Sequence, residues 1–405
     1  MRQEVTVRVN DKAKAEFQRG YPLIAKEALE NADVLETEGT IVNLTDKHDK
    51  FLAKGYYGKQ NKGYGWVLTR NKDEAIGQGF IERTLAAAIA ERKTFYDDPN
   101  TTAFRVFNGE GDGFGGLSID YYGGFYLVSW YSEGVYSFKD EVIAALQNVA
   151  DCKGVYQKKR FDAKGQYIEE DDFVAGERGE FPLIVKENGI NFAIYLNDGA
   201  MTGIFLDQRD VRNAIKERYA KGKTVLNTFS YTGAFSVAAA LGGAMKTTSV
   251  DLAKRSNSKT IEQFSVNGID YESQDILVMD VFNYFKYAKR KEMKFDLVVL
   301  DPPSFARSKK YTFSTSKDYT HLMREAIAIT EDKGVIVAST NSASFGMQKF
   351  KGFIEKAFKE EDMSYKIVEE FTLPKDFRVR KEFKEGDYLK VLFVKLGKRK
   401  NVAES

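Results

Sequence analysis

The segment Asp301-Pro302-Pro303-Ser304-Phe305 is the most specific chemical signal in the sequence. Two prolines after a carboxylate predict a rigid turn, because proline fixes φ and has no N–H with which the chain could fold back. The Asp301 carboxylate and an outward carbonyl of this turn could both hold the amine of a nucleobase. Phe305 could stack on the same base. We therefore place Asp301, Pro302, Pro303 and Phe305 in a predicted catalytic site.

Two further acids follow predicted strands. Asp251 ends a strand predicted over 247–251 and lies 18 residues after Gly233, a position that suits the two hydroxyls of a ribose. Asp280 follows the next strand and could meet an adenine amine, with Val281 or Phe282 against the ring. Ordinary capping at the end of a strand is the alternative interpretation of each acid.

The turn 230–236 decides which adenosine ligand fits. It holds a single glycine, Gly233, and lacks G-x-G-x-x-G. Without those glycines a pyrophosphate cannot approach the start of the following helix closely. The sequence therefore disfavours a nicotinamide-dependent oxidoreductase and favours an adenosine ligand without phosphates, of which S-adenosylmethionine is the common one.

Alternating strands and helices after about residue 200 position these residues. They predict a parallel, doubly wound sheet, with ligands at the carboxyl ends of its strands. The predicted strands cover 223–229, 247–251, 276–281, 295–301 and 335–339.

The rest of the chain divides into two smaller predicted domains. Residues 1–72 favour a small, mostly β domain with a short helix over 24–32, and residues 73–190 favour an α+β domain with helices over 81–95 and 138–149. The third domain is predicted over 191–405, so the fold class is α/β at the C-terminus, preceded by these two domains.

Composition excludes several classes of protein. The chain has 405 residues and a net charge of +2, distributed as +3 over 1–72, −9 over 73–185 and +8 over 186–405. A single cysteine, Cys152, excludes disulfides and cysteine-built metal clusters, and two histidines make a histidine-built metal centre improbable. No apolar run approaches the ~18 residues of a membrane span, and no signal-peptide pattern follows Met1. We expect a cytoplasmic protein that holds no metal ion. The composition leaves the oligomeric state open, with a homodimer as one of the alternatives.

The chain resembles the three-domain methyltransferases of large-subunit (23S) ribosomal RNA. The resemblance rests on several segments, namely Asn108–Gly113, Gly116–Asp120, Thr202–Asp210, Asn227–Gly233, Asp301–Pro303 and Glu385–Lys390. It implies an N-terminal RNA-binding PUA domain, a small central domain and a C-terminal class I methyltransferase domain with a Rossmann-like sheet. It also implies S-adenosylmethionine as cofactor, S-adenosylhomocysteine as product and ribosomal RNA as partner.

The resemblance also implies which residues hold the cofactor. The segment that begins the methyltransferase domain supplies Phe205, Asp207, Gln208 and Arg209. The loop on the methionine side supplies Asn227, Phe229, Ser230, Tyr231, Thr232 and Gly233. On the ribose and adenine sides they are Asp251, Leu252, Asp280, Val281 and Phe282.

One position departs from the family pattern. Members that methylate cytosine at C5 place a nucleophilic cysteine just after the fifth strand, because a thiolate must first add at C6. Asn341 stands there in this chain, which favours transfer to a base nitrogen. C5 methylation by another route and a non-catalytic RNA-binding or assembly protein are the alternatives.

Basic residues near the strand ends could hold the RNA backbone. They are Lys309, Lys310, Lys317, Arg378, Arg380 and Lys381.

Overall fold

A computed structural model describes residues 2–60, 63–161, 171–307 and 312–399. The described chain packs as two compact units. The first comprises Met1–Lys186, Ile194–Thr202 and Lys375–Gly386, and the second comprises Glu187–Ala193, Gly203–Pro374 and Asp387–Ser405. Within the described ranges, every helix is too short or too polar to cross a membrane.

A five-stranded sheet with the order β1-β3-β4-β5-β2 opens the first unit. Its strands are β1 (Glu4–Arg8), β2 (Leu23–Ala25), β3 (Ile41–Thr45), β4 (Phe51–Gln60) and β5 (Gly63–Thr69). Helix α1 (Asp11–Arg19), which the sequence analysis missed, begins after Asn10, whose side chain accepts from the Ala13 N–H. The helix predicted over 24–32 is wrong, because Leu23 and Ile24 pair with Trp66 and Gly65 of β5.

A second five-stranded sheet in this unit has the order β10-β9-β8-β7-β6. Its strands are β6 (Ala103–Asn108), β7 (Leu117–Tyr122), β8 (Phe125–Trp130), β9 (Gly154–Lys159) and β10 (Phe173–Gly176). Helices α2 (Gln78–Glu91), α3 (Lys93–Tyr96), α4 (Glu133–Tyr136) and α5 (Lys139–Val149) accompany it, and strands β11 (Leu183–Glu187) and β12 (Ile190–Ile194) follow. The predicted helix over 138–149 is confirmed, and the helix predicted over 81–95 is divided between α2 and α3.

One hydrophobic core joins the two sheets of the first unit. Buried Tyr56 and Trp66 of the first sheet belong to the same cluster as Phe107 and Leu117 of the second. A domain boundary after residue 72 therefore stays a prediction, since apolar packing is continuous across it.

Residues 375–386 belong to the first unit, although the sequence analysis placed them in the last domain. Buried Arg92 explains why. It forms two 2.7 Å bonds to the Asp112 carboxylate, which is also buried, and it donates to the Asp376 carbonyl at 2.7 Å. The Arg105 N–H adds a bond to the Asp376 carboxylate at 2.9 Å. These donors fix the backbone of the segment within the unit.

The second unit is built on a seven-stranded sheet with the order β15-β14-β13-β16-β19-β21-β20. The strands are β13 (Thr224–Thr228), β14 (Lys246–Asp251), β15 (Asp275–Val278), β16 (Phe295–Leu300), β19 (Thr330–Thr340), β20 (Met363–Phe371) and β21 (Lys390–Arg399). Its first five strands are parallel, and β21 runs antiparallel to both neighbours. The five predicted strands are confirmed, with two differences in their bounds. The strand predicted over 276–281 ends at Val278, because Asp280 caps α9, and the last strand begins at Thr330 rather than at residue 335. Two short strands, β17 (Phe305–Arg307) and β18 (Thr312–Ser314), pair separately.

Helices cover both faces of this sheet. They are α6 (Arg209–Ala214), which continues as a π-helix over Ile215–Tyr219, α7 (Ala234–Leu241), α8 (Arg255–Ser265), α9 (Val281–Arg290), α10 (Thr315–Ala328) and α11 (Met347–Glu360). One core cluster contains Phe285, Met323 and Phe358 of α9, α10 and α11. A second contains Val211 and Phe235 of α6 and α7. Two separate cores against one parallel sheet make a doubly wound α/β unit.

Replacing Arg92 by alanine tests how much its buried ion pair stabilises the first unit. The change leaves the Asp112 carboxylate buried without its partner, so we expect a loss of about 3–5 kcal/mol in the free energy of unfolding. Arg83→Ala is the matched control, because Arg83 is exposed beside Glu74 and should change that free energy by less than about 1 kcal/mol. Urea unfolding followed by circular dichroism measures both. Equal losses in the two variants would contradict the assignment.

Candidate functional site

The turn between β13 and α7 has an unusual backbone. Phe229 and Tyr231 both have φ of 52°, and Gly233 has φ of 77°. A left-handed conformation costs a non-glycine residue about 1–3 kcal/mol and persists only where neighbours enforce it. Two bonds to β14 do so here: the Tyr231 N–H donates to Asp251 Oδ2 at 2.9 Å, and the Ser230 N–H donates to the Val250 carbonyl at 3.1 Å.

The segment before α6 is bonded to the same turn. The Gly203 N–H donates to the Tyr231 hydroxyl at 3.0 Å, and the Gly203 carbonyl accepts from Thr232 Oγ1 at 2.6 Å. Phe205 is exposed and its ring lies 5.3 Å from that of Tyr231. The backbone of Phe205 is held by buried Arg212, which donates to its carbonyl at 2.7 Å. The turn and the segment therefore form one shaped surface.

Asp251 and Asp280 lie at the carboxyl ends of neighbouring strands. Asp251 accepts the Tyr231 N–H with one oxygen and the Ala253 N–H with the other, at 2.8 Å. A carboxylate oxygen has a second lone pair, so Asp251 can still accept from ribose hydroxyls. Asp280 caps α9 through Oδ1, which accepts the Asn283 N–H at 3.0 Å. Its other oxygen has no hydrogen-bond partner within the described ranges.

Two exposed apolar side chains flank these acids. Leu252, after β14, is 59% exposed, and Val278, which ends β15, is 44% exposed. Apolar side chains beside carboxylates fit the two faces and the polar edges of an adenosine. Sequence reasoning selected Leu252 but missed Val278, because an apolar residue at the end of a strand gives no distinctive signal.

Three predicted cofactor residues are engaged in packing. Asn227 is fully buried in β13 and donates to the Ser236 hydroxyl at 3.0 Å, while its Oδ1 has no partner among the described residues. Val281 is buried in the core. The Phe282 ring lies parallel to the His321 ring at 5.8 Å. Their roles toward the cofactor stay predictions.

Gln208 links the segment before α6 to Asp301. Its buried side-chain amide donates to Asp301 Oδ1 at 3.1 Å and to Ser339 Oγ at 2.8 Å. The Ser339 carbonyl in turn accepts from the hydroxyl of buried Tyr319 at 2.8 Å. Gln208, Ser339 and Tyr319 thus form a polar support beneath the Asp301 carboxyl group.

This support and its surroundings set the ionisation of Asp301. Burial raises the pKa of Asp301 to about 6, and the nearby Asp207 carboxylate acts in the same direction. Hydrogen bonds with Ser339 and Gln208 favour the ionised form and limit the rise. Asp301 therefore changes charge close to neutral pH, as a group that exchanges or shares a proton must.

Asp207 and Arg209 flank Gln208. Asp207 Oδ2 accepts from the Tyr388 hydroxyl at 2.8 Å. The Arg209 side chain is almost entirely buried and lies 3.7 Å from the Asp210 carboxylate. The structure thus places Asp207 and Gln208 next to the Asp301 turn rather than isolating them at the cofactor side.

The Asp301 turn presents its aromatic residue outward. Pro302 is buried, Pro303 is exposed and Phe305 is 63% exposed. The Ser304 carbonyl accepts from the N–H and the hydroxyl of Thr315, at 3.2 and 3.3 Å, which ties the turn to the start of α10. Lys317 is exposed on α10, whereas the predicted backbone contacts Lys309 and Lys310 lie outside the described residues.

Asn341 adjoins this turn from the neighbouring strand. It is exposed directly after β19, and its Oδ1 accepts from Ser304 Oγ at 2.5 Å. The next residue, Ser342, is held by buried Lys390, whose Nζ donates to the Ser342 and Tyr388 carbonyls at 2.9 and 2.7 Å. Burial lowers the pKa of Lys390.

Four supporting residues escaped the sequence analysis, namely Ser304, Ser339, Tyr319 and Lys390. Ser304 and Ser339 stand inside segments already selected, so their polar side chains were a usable signal. Lys390 also ends a selected segment, but its bond to the Ser342 carbonyl spans 48 residues and could not be predicted. Tyr319 carried no signal, because its partner Ser339 is 20 residues away. Within the described ranges, no group of three His, Cys, Asp or Glu side chains is arranged to hold a metal ion.

Comparisons with known proteins show the family of the chain. Residues 105–392 match the profile of a family described as S-adenosylmethionine-dependent methyltransferases, and residues 7–70 match a PUA-like domain. The chain is 63% identical over 382 residues to the Bacillus subtilis (strain 168) protein named "Putative ribosomal RNA large subunit methyltransferase YwbD", covering 94% of this chain and 96% of that protein.

Two further similarities extend along the chain. It is 30% identical over 377 residues to "Ribosomal RNA large subunit methyltransferase I" of Alteromonas mediterranea, covering 93% of this chain and 95% of that protein. The crystal structure of SMU.776, described as "a putative methyltransferase complexed with SAH", superposes with a TM-score of 0.89 at 41% identity. It covers 97% of this chain and 100% of that one.

Replacing Asp251 by alanine tests the ribose side of the site. The change removes the acceptor of the Tyr231 N–H, so the left-handed turn loses a support together with the predicted ribose contact. Each hydrogen bond to a charged group contributes about 1.5–3 kcal/mol, so we expect the affinity for S-adenosylhomocysteine to fall at least tenfold. Isothermal titration calorimetry measures it. Asp275→Ala, at the start of β15 beside Lys246, should bind as the unmodified protein does; equal weakening in both variants would contradict the assignment.

Proposed function

We propose that this chain, which belongs to the family of S-adenosylmethionine-dependent methyltransferases, methylates a base of large-subunit ribosomal RNA, and that it does so at a base nitrogen. Its methyl donor and its class I fold were both predicted from the sequence and are confirmed by the family match and by the neighbour crystallised with S-adenosylhomocysteine. The ribosomal substrate is supported by the names of the relatives, which align over more than nine-tenths of this chain. Such a substrate places the reaction in the cytoplasm.

The observation that carries the choice of a nitrogen is Asn341 beside the Asp301 turn. Transfer to C5 of a pyrimidine needs a nucleophile that first adds to the ring. An amide cannot add, and Asn341 is already bonded to Ser304. The single cysteine, Cys152, has a pKa raised to about 11 by burial, so its thiol is a poor nucleophile at neutral pH. A base nitrogen needs no covalent adduct with the protein.

The residues of the site suit a positioning mechanism. The sulfonium of S-adenosylmethionine supplies an electrophilic methyl group for an in-line displacement. Ionised Asp301 would accept an N–H of the target base, hold that nitrogen in line and take up its proton as the methyl group is transferred, while the exposed Phe305 ring stacks on the base. Orientation of this kind supplies an effective molarity of ~10⁵ M or more.

The target nucleotide must leave any helix before it reaches Asp301. Unstacking and unpairing cost a few kcal/mol, which contacts with the RNA backbone must offset. Exposed Lys317, in the same unit as Asp301, is the described basic residue that we assign to this role. Arg378, Arg380 and Lys381 belong to the first unit, and their contact with RNA stays a prediction. The PUA-like domain would add RNA contacts.

Nucleoside analysis tests the function directly. Unmodified large-subunit ribosomal RNA, incubated with the protein and S-adenosylmethionine carrying a deuterated methyl group, should give a labelled N-methylated nucleoside by mass spectrometry. The Asp251→Ala variant provides the matched negative control. Labelled 5-methylcytidine would contradict the nitrogen assignment, and the absence of label from RNA and from ribosomal particles would contradict the proposal as a whole.

Asp301→Ala separates chemistry from cofactor binding. The variant loses the carboxylate that orients the base, so methyl transfer should become undetectable while the affinity for S-adenosylhomocysteine stays within about threefold. Single-turnover assays and calorimetry provide the two measurements. Transfer at the unmodified rate would remove Asp301 from the mechanism.

The pH dependence of kcat/KM tests the ionisation of Asp301. Its pKa is about 6, so the carboxyl group is protonated below that pH and ionised above it. If the ionised form holds the base, kcat/KM should rise between pH 5 and 7 with a midpoint near 6. Gln208→Met removes a bond that favours the ionised form, so the midpoint should move to higher pH. A flat profile, or one unmoved by Gln208→Met, would argue against this role.

A further inference from the structure

The amide of Asn341 has a defined orientation. Its contact with Ser304 Oγ measures 2.5 Å. O–H···O bonds in proteins span 2.5–3.0 Å, whereas N–H···O bonds begin near 2.7 Å. The distance therefore identifies the amide oxygen as the atom that accepts from Ser304. The amide nitrogen then points away from Ser304.

Among the described residues, this nitrogen is a donor without a partner. Asn341 is exposed, and within the described ranges its Nδ2 has no hydrogen-bond partner. The Ser304 bond uses one lone pair of the amide oxygen and fixes the plane of the side chain, so its N–H groups lie on the side away from Ser304. An exposed donor of this kind pairs with a carbonyl oxygen or an unprotonated ring nitrogen of a ligand.

The loop that carries the Asn341 donor and the turn that carries Ser304 are both fixed by further hydrogen bonds. Ser304 is fixed through its carbonyl by Thr315, and Ser342, next to Asn341, is fixed by buried Lys390. Leu300 of β16 lies opposite Ala338 of β19, so the two loops leave the sheet side by side. A donor held in this way pays little conformational entropy when it binds.

The base-stacking ring and the carboxylate come from the same turn. Phe305 directly follows Ser304, and Asp301 precedes Ser304 by three residues. A base stacked on Phe305 would thus face a carboxylate on one side and the Asn341 amide on another. The carboxylate selects an N–H group and the amide selects an acceptor.

We propose that Asn341 is a specificity-determining residue, whose amide N–H reads a carbonyl oxygen on the target base and rejects bases with an amino group at that place. The inference rests on the proposed function and narrows its substrate to a keto base. Rejection follows because an amino group would set donor against donor, leaving both without an acceptor. Ser304 is a positioning residue, since it acts by orienting the amide.

The test compares a keto base with its amino counterpart at the methylated position. The position comes from the nucleoside analysis of the unmodified enzyme. Full-length ribosomal RNA is then assembled by splinted ligation around a synthetic segment that carries guanine or 2,6-diaminopurine, or uracil or cytosine, as the target requires. The readout is the ratio of kcat/KM for the two RNAs.

We expect the unmodified enzyme to prefer the keto base by about tenfold to hundredfold, the usual range for a well-placed donor–acceptor pair. Asn341→Ala should lose most of this preference. Asn341→Asp replaces the donor by an acceptor and should reverse it. Ser304→Ala frees the amide to rotate and should reduce the preference, while Ser304→Thr keeps the hydroxyl and should restore it. Ser344→Ala is the matched control, because the Ser344 hydroxyl bonds to the Ser342 hydroxyl at 2.8 Å and not to Asn341 or Ser304; it should leave the ratio unchanged.

The readouts separate the possible failures. Affinity for S-adenosylhomocysteine and the midpoint of thermal unfolding should stay the same in all variants, so a changed ratio cannot come from misfolding. A preference that survives Asn341→Ala and Asn341→Asp would overturn the inference, as would an adenine target, while either leaves the methyltransferase function standing. An unmodified enzyme that methylates no RNA would overturn both.

Discussion

Parallel pairing of β13, β16 and β19 is the constraint on which the candidate site depends. Leu300 at the end of β16 lies opposite Thr228 of β13 on one side and Ala338 of β19 on the other. The carboxyl ends of these three strands therefore lie side by side. The turn between β13 and α7, the Asp301 turn and the Asn341 loop each follow one of these strands. A shift of one residue in this register would exchange the side chains between the two faces of the sheet, and the two cores packed against those faces prevent it.

Hydrogen bonds then hold each of these loops in place. The left-handed turn at Phe229 and Tyr231 is held by Asp251, and the Asp301 turn is held by Gln208 and Thr315. Loops ordered before the ligand arrives leave less entropy to lose on binding. In the proposed mechanism methyl transfer depends on alignment, so we expect the order of these loops to contribute to the rate.

Buried ion pairs play comparable parts in the two units. Arg92 pairs with Asp112 and also donates to a carbonyl of the segment 375–386, whereas Arg212 pairs with Glu187 and also donates to the Phe205 carbonyl. In each case the guanidinium joins a carboxylate to a backbone carbonyl distant in sequence. Buried pairs of this kind contribute modest net stability but strongly penalise the loss of one partner, so they define which backbone arrangement is allowed.

The sequence by itself determined the parts that depend on local pattern. Alternating apolar runs and helical periods located the five parallel strands, and the acids at their ends, Asp251, Asp280 and Asp301, could be read from their positions alone. The mostly β start of the chain was also predictable, although the helix expected over 24–32 was wrong because pairing with β5 outweighed local propensity.

Only the tertiary structure decided three further features. They are the contact of Gln208 with Asp301, which spans 93 residues, the orientation of Asn341 by Ser304, and the placement of residues 375–386 in the first unit. Each of these depends on strand register and side-chain packing between segments far apart in the chain, and no local pattern of residues encodes such distances.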